Sequence, residues 1–141
     1  MSNLLNTSNI LLIIANGSSA LNYQYGKEIN QFSNIARINN YSIEKYEKYV
    51  GNKTDIWFNG ATQGLKKRID TPDRIVVFIP AEILSRKGDA IHQRIEKRLG
   101  TQRSNYELIS NNKMLKYEKQ IGVTRPTTGT SSLMWGLDNF D

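Results

Sequence analysis

Two polar clusters hold the side chains best suited to chemistry. Asn16-Gly17-Ser18-Ser19 follows the apolar run Ile10–Ala15, and Thr127-Thr128-Gly129-Thr130-Ser131-Ser132 follows Arg125-Pro126. A buried strand that ends in a polar turn and leads into a helix would aim backbone N–H groups, with Asn16, Ser18 and Ser19, at a phosphate. The same composition suits a tight turn that binds nothing, with Gly17 tolerating positive φ and Asn16 and Ser18 bonding local backbone. Neither the dinucleotide-binding G-x-G-x-x-G pattern nor the P-loop pattern is present, so both readings stay open. The second cluster sets five hydroxyls around Gly129 at the start of a helix. Such a start favours an anion, and ordinary N-capping by Thr128 or Thr130 would use the same residues.

The other reactive side chains are less well placed. His92 is the single histidine, and it lies beside Ile91 in an amphipathic segment. It reads as a surface or half-buried helical residue rather than a general base. Asp55 and Glu82 border strands, but nothing pairs them, so a carboxylate dyad is not supported. Trp57 and Trp135 read as core. With no cysteine and one histidine, the sequence excludes disulfides, thiolate metal sites and multi-histidine sites. No metal is expected, and a reducing, cytoplasmic setting is.

Nineteen Lys and Arg against thirteen Asp and Glu give a net charge of +6, which favours an anionic ligand. The small basic clusters Lys66–Arg68 and Arg94–Arg98 are not interleaved with aromatics, so no nucleic-acid partner is expected. Ile10–Ala15 is too short to span a bilayer and has no basic residue before it; neither a transmembrane segment nor a signal peptide is expected.

The elements that must position these groups follow from the apolar pattern. Ile10–Ala15 is continuously apolar and predicts a central parallel strand buried on both faces. Leu21–Phe32 predicts a helix with Gly26 as its weak point. Asn34–Asn39 predicts a short strand ending in Arg37 and Asn39, Ser42–Tyr49 a loop or short helix, and Thr54–Asn59 a strand. Ala61–Ile69 predicts a short basic helix and Arg74–Pro80 a second buried strand. Asp89 through Leu99 predicts a helix burying Ile91, Ile95 and Leu99 and stopping at Gly100. A further helix runs from Asn111 or Asn112 to Gly122 with Met114, Leu115 and Ile121 inward, and a last one spans Ser131–Asp138. Alternation at this spacing implies one domain over residues 1–141, an α/β, Rossmann-like three-layer arrangement with a mostly parallel sheet.

The pieces I-I-A-N-G-S-S-A-L, Y-G-K-E-I, R-I-N-N and Y-V-G-N-K-T within Asn9–Phe58 resemble, in register, the long sialyl motif L of the animal-type sialyltransferase family. Arg125-Pro126-Thr127-Thr128-Gly129 resembles the start of its short motif S. The resemblance implies transfer of sialic acid or a related sugar acid from a CMP-activated donor to a glycan hydroxyl, with inversion, no metal and no cofactor. It places Asn16, Gly17, Ser18 and Ser19 at the donor phosphate and nucleotide, Asn39 at the nucleotide, and Thr127, Thr128 and Gly129 at the cytidine and carboxylate side.

Two departures accompany the match. The family joins its motifs by a disulfide, and the matching positions here are Leu11 and Phe140, so two apolar residues would meet instead. That fits a cytoplasmic microbial or viral member. The family's catalytic histidine lies beyond a strand that would follow Asp141. His92 does not match that motif, so the catalytic base is unknown and is expected outside residues 1–141, as in a truncated member. A non-catalytic or degenerate nucleotide-sugar-binding module is the alternative.

Overall fold

The computed structural model of the chain describes residues 7–141. Five parallel strands form one sheet in the order β1-β2-β3-β4-β5. They are β1 (Leu11–Ile14), β2 (Asn34–Ile38), β3 (Ile56–Asn59), β4 (Arg74–Val77) and β5 (Glu107–Leu108). Flanking them are α1 (Gly26–Ile29), α2 (Glu47–Val50), α3 (Ala81–Lys87), α4 (Ile91–Leu99), α5 (Asn111–Ile121) and α6 (Thr128–Asn139). This is the α/β, Rossmann-like arrangement expected from the sequence. Among the described residues, no helix is long and apolar enough to cross a membrane.

The strand order places β3 at the centre, where Trp57 and Phe58 are wholly buried. Successive side chains of a strand face opposite sides of the sheet, and the two sides are covered differently. On one, α6 sets Trp135 edge-on against Phe58 at 5.3 Å between ring centres, and the Arg74 guanidinium lies 4.8 Å from the Trp135 ring. On the other, α2 closes over Arg37. The apolar run Ile10–Ala15 is not central, as its composition predicted. Among the described residues its strand β1 is an edge, and Leu11–Ile14 are half-buried.

The predicted helix Leu21–Phe32 is replaced by a single 3-10 turn, Ser18–Leu21, and the one-turn α1. The 3-10 turn buries no residue, and Gly26 is the one buried residue of α1. A longer helix would have little apolar surface to bury, and packing rather than propensity decides short helices. Gly26 lies where α1 crosses α2, and a Cβ there would sit 2.0 Å from the Glu47 carbonyl oxygen. Gly51, at φ +73°, ends α2 in a conformation that favours glycine.

Ala61–Ile69 forms no helix either. Ala61 has φ +45°, Asn40 donates to Gly64 O at 2.9 Å and accepts from Lys66 N at 2.8 Å, and Arg98 donates to Ala61 O at 2.7 Å. Side chains distant in sequence supply bonds that a helix would have made internally. The helices α4, α5 and α6 correspond to the expected ones, while α3 and β5 are additional. In α5, Met114 is buried as expected, but Leu115 is 50% exposed and Tyr117 takes the inward position. The start of α6 is Thr128, ahead of the expected Ser131.

Leu11 and Phe140 line the same small surface cavity, and the Asp141 N–H donates to Asn9 O at 2.9 Å. The segment before β1 and the segment after α6 are therefore joined by a backbone hydrogen bond.

Gly26→Ala is expected to destabilise the fold by about 3 kcal/mol, the upper part of the usual overpacking range, because the clash is with backbone. Gly64→Ala, which meets nothing within 4 Å, is expected to stay within about 0.5 kcal/mol. Urea denaturation of both variants checks the pair.

Candidate functional site

Ligands of open α/β sheets bind beyond the carboxyl ends of the strands, and the polar clusters converge on that edge. After β1, Asn16 Nδ2 donates to Ile38 O at 2.7 Å, tying the first turn to the end of β2. Asn39 follows with φ +50°, its N–H donating to Phe58 O at 2.7 Å and its carbonyl accepting from Trp57 Nε1 at 2.8 Å. Asn39 Oδ1 accepts from the Gly60 N–H at 3.3 Å, beyond the end of β3. A Cβ on Gly60 would lie 3.1 Å from Thr128 Oγ1, and one on Gly129 would lie 3.9 Å from Ile38 Cδ1. Asn16, Asn39 and Thr128 are thus linked through short steps along one edge.

Within that edge the predicted residues divide into two groups. Asn16, Gly17 and Ser18 line a cleft of about 240 Å³ together with Arg37, Tyr41 and Val50. Ser19 lines an adjoining groove of about 360 Å³ beside Tyr23 and Tyr25, whose rings stack 5.5 Å apart. Asn39, Thr127, Thr128 and Gly129 line neither; the last three sit on the side that Ile38 presents to α6. Thr127 is the cap of α6, accepting from Thr130 N at 3.1 Å, where the sequence had suggested Thr128 or Thr130.

Two expectations about the first turn are corrected. Gly17 has φ −67° and ψ 149°, ordinary extended backbone that does not require glycine. The segment after it is one 3-10 turn, too short for the aligned dipoles that make a long helix start attractive to anions.

Arg37 emerges only in three dimensions. It is 2% exposed, yet it lines the cleft and is the one charged residue among the described residues that do. Its Nε donates to Thr54 Oγ1 at 2.9 Å and Lys53 O at 3.2 Å, and its Nη2 to Val50 O and Lys53 O, both at 2.8 Å. Burial lowers its pKa and neighbouring Arg68 adds to this, while Tyr41 and Asp55 oppose it. An arginine stays charged through such a shift. Arg68 stacks over Tyr41 at 3.6 Å from the ring centre and donates to Tyr41 O at 2.8 Å. The sequence signal for Arg37 was a cation near the end of a short, mostly apolar strand.

The remaining acid–base candidates are engaged elsewhere. His92 Nδ1 and the Tyr106 hydroxyl are 2.5 Å apart, and burial with Arg103 lowers the histidine's pKa. Asp55 accepts from the Ile35 N–H at 2.8 Å and pairs with Lys53 at 3.2 Å; Glu82 pairs with Arg125. None of the three lines the cleft. Among the described residues, no three His, Asp or Glu side chains gather as a metal site would need.

Residues 12–82, half of the chain, match the model of glycosyltransferase family 29 (sialyltransferase). A 46-residue stretch is 41% identical to a beta-1,6-galactosyltransferase of Arabidopsis thaliana, covering 33% of this chain and 12% of that protein.

Thr54→Val keeps the shape of the side chain and removes a hydroxyl acceptor from a buried guanidinium. The expected cost is about 1–2 kcal/mol, read as a lower urea midpoint with an unchanged m value.

Proposed function

The chain belongs to glycosyltransferase family 29, and from that premise we propose that it binds a CMP-activated sialic acid or related sugar acid and transfers the sugar to a glycan hydroxyl. The observation that carries this reading is the convergence of Asn16, Asn39 and Thr128, from three separate segments, on one carboxyl edge. In the proposed reaction the acceptor oxygen bonds to the anomeric carbon from the face opposite the phosphate. The anomeric C–O bond breaks, and its electron pair leaves with CMP. Asn16, Ser18 and Ser19 would hold the departing phosphate with fixed donors, which is worth most where charge develops. Asn39 would hold the nucleotide, and Thr127, Thr128 and Gly129 the donor's far side. The reaction, as the family resemblance implies it, uses neither metal nor cofactor, and the cysteine-free sequence suits a cytoplasmic setting.

The acceptor's proton needs a base within hydrogen-bond reach. Among the described residues no histidine or carboxylate lines the cleft, and that observation favours a second reading, a donor-binding module without turnover. Calorimetry with CMP, cytidine and UDP, followed by CMP release from CMP-sialic acid with and without glycan acceptors, separates the two. CMP binding with acceptor-dependent release is the expected result. Binding without release leaves the module, and absence of CMP binding removes both. A preference for UDP would point instead toward a galactosyl donor, in line with the Arabidopsis relative's name.

Gly17→Ala tests the first turn directly. Its new Cβ meets no protein atom closer than 3.6 Å, so the melting temperature should hold or rise slightly. CMP affinity should fall about fivefold, or about 1 kcal/mol, because the methyl group would stand where the nucleotide approaches the backbone.

A further inference from the structure

Arg37 carries more hydrogen-bonding capacity than its structural contacts use. Its Nε and Nη2 are occupied by two carbonyls and one hydroxyl, all neutral. Nη1 has no partner among the described residues, and it is not one of the polar atoms sealed from solvent without one. Since Arg37 lines the cleft and is otherwise buried, the cleft is where that nitrogen is open. Among the described residues no carboxylate forms an ion pair with the guanidinium: the nearby Asp55 is bonded to Lys53 and the Ile35 N–H. A buried cation is costly without an opposite charge. Here Arg68, stacked on Tyr41, adds a second positive charge to the same wall.

Tyr41 repeats the pattern. The residue is 6% exposed and lines the cleft, while its hydroxyl has no partner among the described residues and is not sealed off. A strut that only fastened β2 to the end of α2 would need Nε and Nη2. It would explain neither the spare Nη1 nor the spare phenol beside it.

We propose that Arg37 and Tyr41 form the oxyanion subsite of this cleft, with Arg37 Nη1 supplying the charge and the Tyr41 hydroxyl a neutral donor. The inference rests on the donor-binding reading above and names the groups that would select an anionic donor. The oxyanion is a phosphate or a carboxylate, and a CMP-activated sugar acid carries both.

The test compares the full chain with its Tyr41→Phe and Arg37→Lys variants, each titrated with CMP, cytidine and free sialic acid. Tyr41→Phe removes a hydroxyl that has no partner among the described residues and should weaken binding about tenfold or more, as loss of a hydrogen bond to a charged group does. Arg37→Lys, which cannot keep the fork, should weaken it about tenfold or more, with cytidine affinity unchanged. A loss seen with CMP assigns the subsite to the phosphate, and one seen with sialic acid assigns it to the carboxylate. Should Arg37→Lys not fold, arginine-labelled NMR of the unaltered chain replaces it: the Arg37 Nη signals should shift with the anion and not with cytidine. Equal losses for CMP and cytidine, affinities kept by both variants, or unmoved Arg37 signals would overturn this proposal alone. If the unaltered chain binds neither CMP nor sialic acid, the donor reading falls and this proposal with it.

Discussion

The buried Arg37 guanidinium is the constraint on which the cleft depends. From near the end of β2 it reaches the last carbonyl of α2, the Lys53 carbonyl and the Thr54 hydroxyl. It thereby fixes the path from α2 into β3. Lys53 extends the tie from the same segment, donating to Phe32 O at 2.7 Å and Ser33 O at 3.1 Å just before β2. Charge-assisted bonds of this kind are stronger than neutral ones. Inside a protein they also impose geometry, because any displacement leaves a buried charge unsatisfied. The wall formed by Tyr41, Tyr46 and Val50 stands where it does because this segment cannot slide.

Glycines set the distance across that wall. Gly26 lets the backbone of α1 lie directly on α2, and Gly51 turns the chain out of α2 beside Asn30. Much of the resemblance in Y-G-K-E-I and Y-V-G-N-K-T is therefore accounted for by packing, not by ligand contact. Gly26, Gly51, Lys53 and Thr54 build the frame, and Asn16, Gly17 and Ser18 face the space it encloses. Family patterns merge these two demands into one string of residues, and only coordinates separate them.

The carboxyl edge is where the frame becomes useful. Parallel strands end there together, so turns that follow β1, β2 and β3 meet without any of them being adjacent in sequence. Helix α6 brings its capped start to the same edge from the opposite side of the sheet. Gly60 permits the close approach of Thr128 to the end of β3. The result is two groups of polar residues along one edge, with a single buried cation below the first. That distribution suits a ligand with an anionic centre and polar parts extending in both directions.

The sequence by itself determined the fold class and the positions of four strands, because continuous apolar runs bounded by polar turns have few other solutions. It also located the polar turns, since Asn, Ser, Thr and Gly must follow buried strands if the backbone is to turn. The strong periodicity of Ile91, Ile95 and Leu99 was enough to locate α4. Only the tertiary structure decided that β1 is the edge of the sheet among the described residues, since its composition is that of a central strand and its neighbours are set by the strand order. Leu21–Phe32 failed as a helix because a longer helix would have little apolar surface to bury. Ala61–Ile69 failed because Asn40, distant in sequence, bonds Gly64 and Lys66 and outweighs local propensity. Arg37 is the clearest case: a cation near the end of a buried strand says that something must satisfy it. What does so, and which nitrogen is left over, depends on carbonyls brought close by folding alone.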